Sequence, residues 1–293
     1  MAHFYPGTYG PYQGFGSNGL SLFDPRDSVC AHLKNDLKYS ILSKHYACHL
    51  HEPPRPFGGF NLIPHGLRAG IEQLAFWFYK KRNPRVPVCK GNRKALDVGC
   101  GNGHYLLFLR QLGWEVAGFD IENHVDPAVS DAGIPVFTGS LESVRPPHGA
   151  FGLISMWHVL EHFHDPAAEL HRMRDLLSRD GTLLIEVPNS ESISAKLLRR
   201  HWHQWDLPRH LSHFTPESLV QLLSQAGFRV RRIARLHKTA LPQSLRSWVE
   251  KEGGWQFLKP LVKMDGFNRA ARLFDGPLAL ARSGENIMAT AVK

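Results

Sequence analysis

Glycines stand at alternate positions in Ala95-Leu96-Asp97-Val98-Gly99-Cys100-Gly101-Asn102-Gly103-His104. A compact apolar run precedes them and an apolar, helix-periodic run from Tyr105 to Leu112 follows. Strand, glycine turn and helix N-terminus together let the backbone approach a ligand closely and aim N–H groups at it. The Gly-x-Gly-x-Gly spacing departs from the dinucleotide fingerprint, which needs a third glycine where His104 stands. Asp97, just before the turn, would repel a pyrophosphate and would suit a cationic amino-acid ligand. A second acid, Asp120, ends the next strand about twenty residues past the first glycine, where a carboxylate can accept from two ribose hydroxyls. Two further stretches carry chemistry: His158-Val159-Leu160-Glu161-His162, and the aromatic and basic run from Trp202 to Phe214.

The first of these stretches resembles the opening motif of the class I S-adenosyl-L-methionine (SAM) dependent methyltransferases, which reads much like Leu96-Asp97-Val98-Gly99-Cys100-Gly101-Asn102-Gly103. His158-Val159-Leu160-Glu161-His162 with Asp165-Pro166, and Pro208-Arg209-His210-Leu211-Ser212-His213-Phe214, resemble one bacterial branch of them. That branch includes small-molecule, sugar-linked and quinone-type O-methyltransferases. The resemblance implies SAM as cofactor, held by Asp97, Gly99, Cys100, Gly101, Asn102 and Gly103. It implies Asp120 and Ile121 at the ribose, Ser140 and Leu141 beside the adenine, and Trp157 at the end of a central strand. Ser140 departs from the family, which often has Asp there, so adenine recognition would fall to backbone groups.

For the acceptor, the resemblance points to Trp202, Trp205, Arg209 and His210 as substrate-binding residues. Arg209 could pair with a carboxylate or phosphate. His158 is the first candidate for a catalytic base and His210 the second. His213 joins them, although either loop histidine could instead satisfy a backbone carbonyl. Glu161 and His162 are expected to cap and brace their loop, and no metal site is assigned. The His-x-x-Glu-His order also matches an inverted zinc-protease pattern, but that needs a sustained helix and Asp165-Pro166 interrupts it. A divalent ion at His158, Glu161 and His162 that orients a substrate is the remaining option.

The elements that must position these groups follow from periodicity. From Lys94 strands and helices alternate, which requires a parallel sheet covered on both faces. Strands are expected at Ala95–Val98, Trp114–Asp120, Pro135–Thr138, Phe151–Trp157, Thr182–Val187, Phe228–Leu236 and Asn286–Val292. Thr215-Pro216-Glu217 is a helix start. Upstream, helices are expected over 24–50 and 65–82, the second with Leu67, Ile71, Leu74, Ala75 and Phe78 on one face. The fold class is therefore α/β: a Rossmann-like, seven-stranded, mostly parallel sheet with helices on both faces. An N-terminal helical cap and a helical insertion before the last strand complete it. The divisions are 1–90 for a Tyr-rich arm and helical cap, 91–236 for the SAM-binding core, 237–285 for the insertion, and 286–293 for the last, antiparallel strand.

Composition limits the options. The 293 residues can bury a substantial core, and 43% hydrophobic with 21% charged residues is ordinary for a globular protein. The net charge of +9 favours anionic partners, but the positives are dispersed in short clusters. Cys30, Cys48, Cys89 and Cys100 form no Cys-x-x-Cys pair, which fits a reducing compartment. No apolar run approaches the ~18 residues of a membrane span, and no leader opens the chain, so a cytoplasmic location is expected.

The expected function is SAM-dependent methylation of a small-molecule acceptor, sugar- or lipid-linked ones included, by in-line O-methylation with a histidine base. No nucleic-acid partner is expected, because Asn/Asp-Pro-Pro-Tyr, a Pro-Cys nucleophile and a dense basic stripe are all missing. The alternatives are a nucleic-acid methyltransferase and a non-catalytic SAM-binding regulator or scaffold. The tryptophans and lysines of the insertion leave a peripheral membrane contact open, and nothing in the sequence sets the oligomeric state.

Overall fold

Five strands run parallel and carry the site at their carboxyl ends: β1 (Lys94–Val98), β2 (Glu115–Asp120), β3 (Val136–Thr138), β4 (Phe151–Trp157) and β5 (Leu177–Pro188). With β6 (Arg229–Leu236) and β7 (Asn286–Val292) they form a seven-stranded sheet of order β3-β2-β1-β4-β5-β7-β6, in which β7 is antiparallel to both neighbours. This computed structural model describes residues 29–50, 64–83, 85–89, 91–122, 124–141, 148–236, 241–251, 257, 259–260 and 284–293. The Tyr-rich arm, the linker at 52–63 and the Phe267–Leu280 pattern of the insertion lie outside the described residues.

The helices are α1 (Val29–His45), α2 (His65–Arg82), α3 (His104–Gln111), α4 (Pro127–Asp131), α5 (Pro166–Leu176), α6 (Ile193–Leu198), α7 (Pro216–Gln225) and α8 (Leu241–Lys251). Their starts are written in the sequence. Asp165 accepts from the Ala168 N–H ahead of Pro166, and Thr215 and Ser218 form a reciprocal capping box ahead of Pro216.

Every residue of β4 is buried, as a strand covered on both faces must be. Side chains alternate between the two faces. Leu96, Val98, Ile154, Met156, Leu183 and Ile185 join Leu170 and Met173 of α5 and Leu219 and Leu223 of α7 in one core cluster. Ala95, Leu153, Trp157 and Leu184 join Ile41 and Leu42 of α1 and Tyr105, Leu106 and Leu109 of α3 in the other. The same alternation puts Asp97, Ser155 and Glu186 on the α1/α3 face. The register pairs Asp97 with Ser155 and Trp157 with Glu186.

The N-terminal helices dock on that face. The Cys89 N–H donates to Tyr46 O at 2.7 Å, and the thiols of Cys48 and Cys89 meet at 2.8 Å. Glu72 of α2 accepts from Ser40 (2.6 Å) and Lys44 (2.9 Å) of α1. The buried face of α2 differs from the expected one. Ala75, Phe76 and Tyr79 pack on the core, whereas Leu67, Leu74 and Phe78 are exposed. Aromatic residues on both sides of this helix blur its apolar stripe. β5 also begins earlier than expected, at Leu177, because Gly181 lets the chain pass close to Phe151 O and Ser178 O without leaving the sheet.

Candidate cofactor and acceptor site

The turn after β1 needs its glycines. Gly99, Gly101 and Gly103 take φ values of 71°, 54° and 76°, in the left-handed region. A Cβ on Gly99 would collide with the Val159 side chain, and one on Gly103 would come within 2.6 Å of Val129 Cγ2. Gly103 is also the N-cap of α3. The Gly99 and Cys100 N–H groups donate to Phe119 O, which seats the turn on β2. The Cys100 side chain is buried and packs toward Gly118. Asn102 accepts from the His104 N–H at 3.2 Å, and its own carbonyl accepts from the Asp126 N–H at 2.9 Å.

Two acids flank this turn. The Asp120 carboxylate accepts from the Gly101 N–H (2.7 Å) and the Ile121 N–H (2.7 Å). Asp97 is fully buried and accepts from Ser155 Oγ at 2.6 Å through Oδ1, while its Oδ2 has no partner. Burial pushes the Asp97 carboxyl up to about 8; the Ser155 hydrogen bond works against that shift and Asp120 adds to it. Beyond β2, Ile121 is exposed and the Gly139 N–H returns to Asp120 O and Ile121 O. Leu141 is buried and Ser140 exposed.

At the end of β4 and β5 lies a buried charged network. Arg85 grips Glu186 with Nε to Oε2 at 2.7 Å and Nη2 to Oε1 at 2.6 Å, and its guanidinium lies 5.3 Å from the centre of the Trp157 ring. Trp157 is 1% exposed and meets Tyr105 edge-on. His158, with φ 57°, sets Nδ1 3.3 Å from Glu161 and Nε2 3.4 Å from Glu186. The Asn286 amide lies 3.1 Å from His158 Nε2 and donates to Glu186 at 2.7 Å. Burial alone would lower the His158 pKa, but Glu161 and Glu186 raise it to about 9. Burial likewise disfavours the Glu186 carboxylate, yet Arg85 and His158 hold its pKa well below the usual range. An imidazole that keeps its proton at neutral pH, with both nitrogens facing partners, is a poor general base. Each ring nitrogen of His158 thus faces an acid from within the chain.

The loop from Trp202 to Phe214, expected to face the acceptor, is internally bonded. Trp202 is buried, donates to Glu285 and meets Trp205 edge-on. Trp205 donates to Arg199 O, and His213 Nε2 lies 3.0 Å from Trp205 O. Arg209 is paired with Asp206, so the expected anion contact is met within the loop. His210 is buried; Nδ1 lies 2.7 Å from Gln204 O and Nε2 has no hydrogen-bond partner. The two loops are clipped together, because the Leu211 and Ser212 N–H groups both donate to Glu161 O.

Residues 65–233, more than half of the chain, match the family described as a methyltransferase domain. The chain belongs to that family. This methyltransferase uses SAM, and the residues present fit the cofactor. Gly99, Gly101 and Gly103 hold the left-handed turn at the end of β1, and Asp97 beside it offers an unpartnered buried oxygen suited to a cation. A protein from Bacillus halodurans assigned as a methyltransferase has the same fold, at 16% identity and a TM-score of 0.50 over 72% of this chain and 97% of that one.

Curated relatives carry the name tRNA U34 carboxymethyltransferase. The one from Alteromonas mediterranea is 28% identical over 67% of this chain and 63% of its own length. The one from Tolumonas auensis is 24% identical over 72% of this chain and 66% of its own length. The methyltransferase therefore spans just under two thirds of these relatives. Their name overturns two expectations, the small-molecule acceptor and the absence of a nucleic-acid partner. The motif argument failed because cations that meet a folded RNA need not be adjacent in sequence. Among the described residues no helix is long and apolar enough to cross a membrane.

Several members of this site escaped sequence reasoning. Glu186 left one signal, an acid inside an otherwise apolar strand. Ser155, Arg85 and Asn286 left none, because each acquires its role through a partner distant in the chain.

Proposed function

We propose that this methyltransferase modifies tRNA, with SAM at the glycine turn. The observation that carries the reading is the name shared by its relatives. The exposed cations agree with it: Lys196, Arg199 and Arg200 lead into the acceptor loop, and Arg229, Arg231, Arg232 and Arg235 are exposed on β6. Such side chains suit phosphate oxygens, which supply most of the affinity for a nucleic acid. The net charge of +9 acts in the same direction.

When bound, SAM supplies an electrophilic carbon on a sulfonium centre. The chain's own residues do the rest by binding and orienting. Asp97 receives the cationic end of the cofactor, and the Gly99, Gly101 and Gly103 backbone lets it approach, with Cys100 and Asn102 fixing the turn. Asp120 exchanges its internal N–H partners for ribose hydroxyls, beside Ile121. Ser140 and Leu141 border the adenine. Trp157 and His158 form the floor, pinned by Arg85 and Glu186. Trp205, Arg209, His210 and His213 shape the acceptor side around the buried Trp202. The core of this assignment is 91–236 closed by 286–293, with 1–90 as cap and 237–285 as insertion. A tRNA substrate also implies a cytoplasmic enzyme.

The test is transfer from carbon-labelled SAM to unmodified tRNA, with phenols and sugars as parallel acceptors. Label in tRNA alone supports the reading, with the nucleoside gaining the mass of a methyl, since SAM carries no carboxyl on the transferred carbon. Label in the small acceptors and none in tRNA overturns it.

A further inference from the structure

Cys48 lies just after α1 and Cys89 in the segment that leads to β1, and their thiols meet at 2.8 Å where the helical cap docks on the sheet. Both are free and buried, 5% and 1% exposed. The backbone fixes the pair from both sides. The Cys89 N–H donates to Tyr46 O at 2.7 Å, and the Cys48 N–H donates to Leu42 O at 3.1 Å. A Cβ on Gly113 would collide with His49 O, so the chain after Cys48 is seated against the end of α3. Weak contacts from the sulfurs to the carbonyls of Tyr46, Pro87 and Leu112, at 3.7, 3.9 and 3.8 Å, hold both side chains in place. A disulfide has an S–S bond of ~2.05 Å, so a shift of about 0.8 Å would join sulfurs already in contact.

The two thiols are not equivalent. The hydrogen bond from Cys48 holds the Cys89 thiol below its ordinary pKa; burial works against this, and the Trp114 indole and the Arg93 guanidinium reinforce it. The same hydrogen bond, together with burial, pushes the Cys48 thiol up. The thiolate is the nucleophile, so the attacking sulfur is that of Cys89. Each cysteine is next in the chain to an exposed residue, His49 and Val88, so the pair lies just beneath the surface, within reach of a small oxidant.

We propose that Cys48 and Cys89 form a reversible redox site, with hydrogen peroxide as the oxidant and Cys89 as the attacking sulfur. The Cys89 thiolate attacks one peroxide oxygen, the O–O bond breaks, and hydroxide leaves to be protonated to water. The sulfur gives up two electrons and becomes a sulfenic acid. The Cys48 sulfur then attacks that of Cys89, the S–O bond breaks, and a second water leaves with the Cys48 proton. Two thiols and one peroxide thus give one disulfide and two waters. A dithiol returns the pair to thiols by exchange. In a reducing compartment such a bond is transient and redox-sensing. It staples the cap to the sheet through the segment that begins at Arg85, whose guanidinium grips Glu186 beneath the candidate site. This inference rests on thiol geometry and stands whichever acceptor the enzyme takes.

The experiment treats full-length protein with hydrogen peroxide, alkylates the remaining thiols and maps the peptides by mass. The Cys48 and Cys89 peptides should be linked, with two hydrogens lost, and dithiothreitol should separate them. Oxidation should raise the Tm by about 5–10 °C, as a cross-link over a loop of this length does in a chain of this size. In Cys48→Ala, dimedone should trap a sulfenic acid at Cys89, whereas Cys89→Ala should leave Cys48 unlabelled. Recovery of both wild-type cysteines as thiols, after a treatment that oxidises them in the urea-unfolded chain, overturns the site. Linked peptides with an unchanged Tm overturn the staple, and dimedone at Cys48 alone overturns the order of attack.

Discussion

Arg85 and Glu186, 101 positions apart in the chain, meet through two short hydrogen bonds at the end of β5. The contact ties the segment after α2 to the sheet directly beneath the candidate active site. Glu186 is completely buried and also faces His158 and Asn286, so its charge depends on Arg85.

Removing one partner of a buried pair costs more than removing both, because a lone charge is left without solvent. Arg85→Met should lose about 3–5 kcal/mol of stability. Adding Glu186→Met should recover a substantial part of it. Urea denaturation of both variants checks this, and a double variant less stable than Arg85→Met would show that Glu186 does not depend on Arg85.

Asp97 gives the protein a pH dependence of definite sign. Its folded-state pKa near 8 lies far above its ordinary value of 3.8, so the native state keeps a proton that the unfolded chain releases. Stability from this group is present at low pH and is lost as pH rises through that window. A cationic ligand prefers the carboxylate, so SAM affinity should rise as pH approaches 8 and level off above it, by up to about tenfold per unit. The titratable neighbours are Asp120, Cys100 and Tyr105, and the two last have pKa values raised by burial and by Asp97. Calorimetry with SAM across pH should show the slope in wild type and a flat line in Asp97→Asn.

Gly99 combines a left-handed φ with the Val159 contact. Gly99→Ala should cost about 1–3 kcal/mol in backbone strain, with a steric penalty added. Gly99→Ala with Val159→Ala should recover the steric part alone, and thermal melts of the two should therefore differ.

His158 faces partners at both ring nitrogens, so its replacement should not look like the loss of a base. His158→Asn should lower kcat by less than the about 10²–10⁴-fold expected for a missing general base. A larger drop, with SAM affinity unchanged, would return the base to His158.

Legibility followed the range of the interactions. The strand pattern, the glycine turn and the helix starts at Asp165-Pro166 and Thr215-Pro216 are local and periodic, and the sheet order agrees with them. Where apolar residues surround a helix, as on α2, periodicity could not choose the buried face. The network around Glu186 was invisible because Arg85, His158 and Asn286 converge only after the sheet forms. At His158 the residue type and place were readable, but the two acids that flank it were not. The acceptor was misjudged on the absence of linear motifs, which say little about a surface assembled from separate elements.

The most direct measurement is calorimetric binding of SAM, with NAD as the comparison, to wild type and Asp120→Ala. The account predicts that SAM binds wild type, that NAD does not, and that Asp120→Ala weakens SAM at least about tenfold through lost ribose contacts. Equal SAM binding by the variant, or tight binding of NAD, would contradict the placement of the cofactor at the glycine turn.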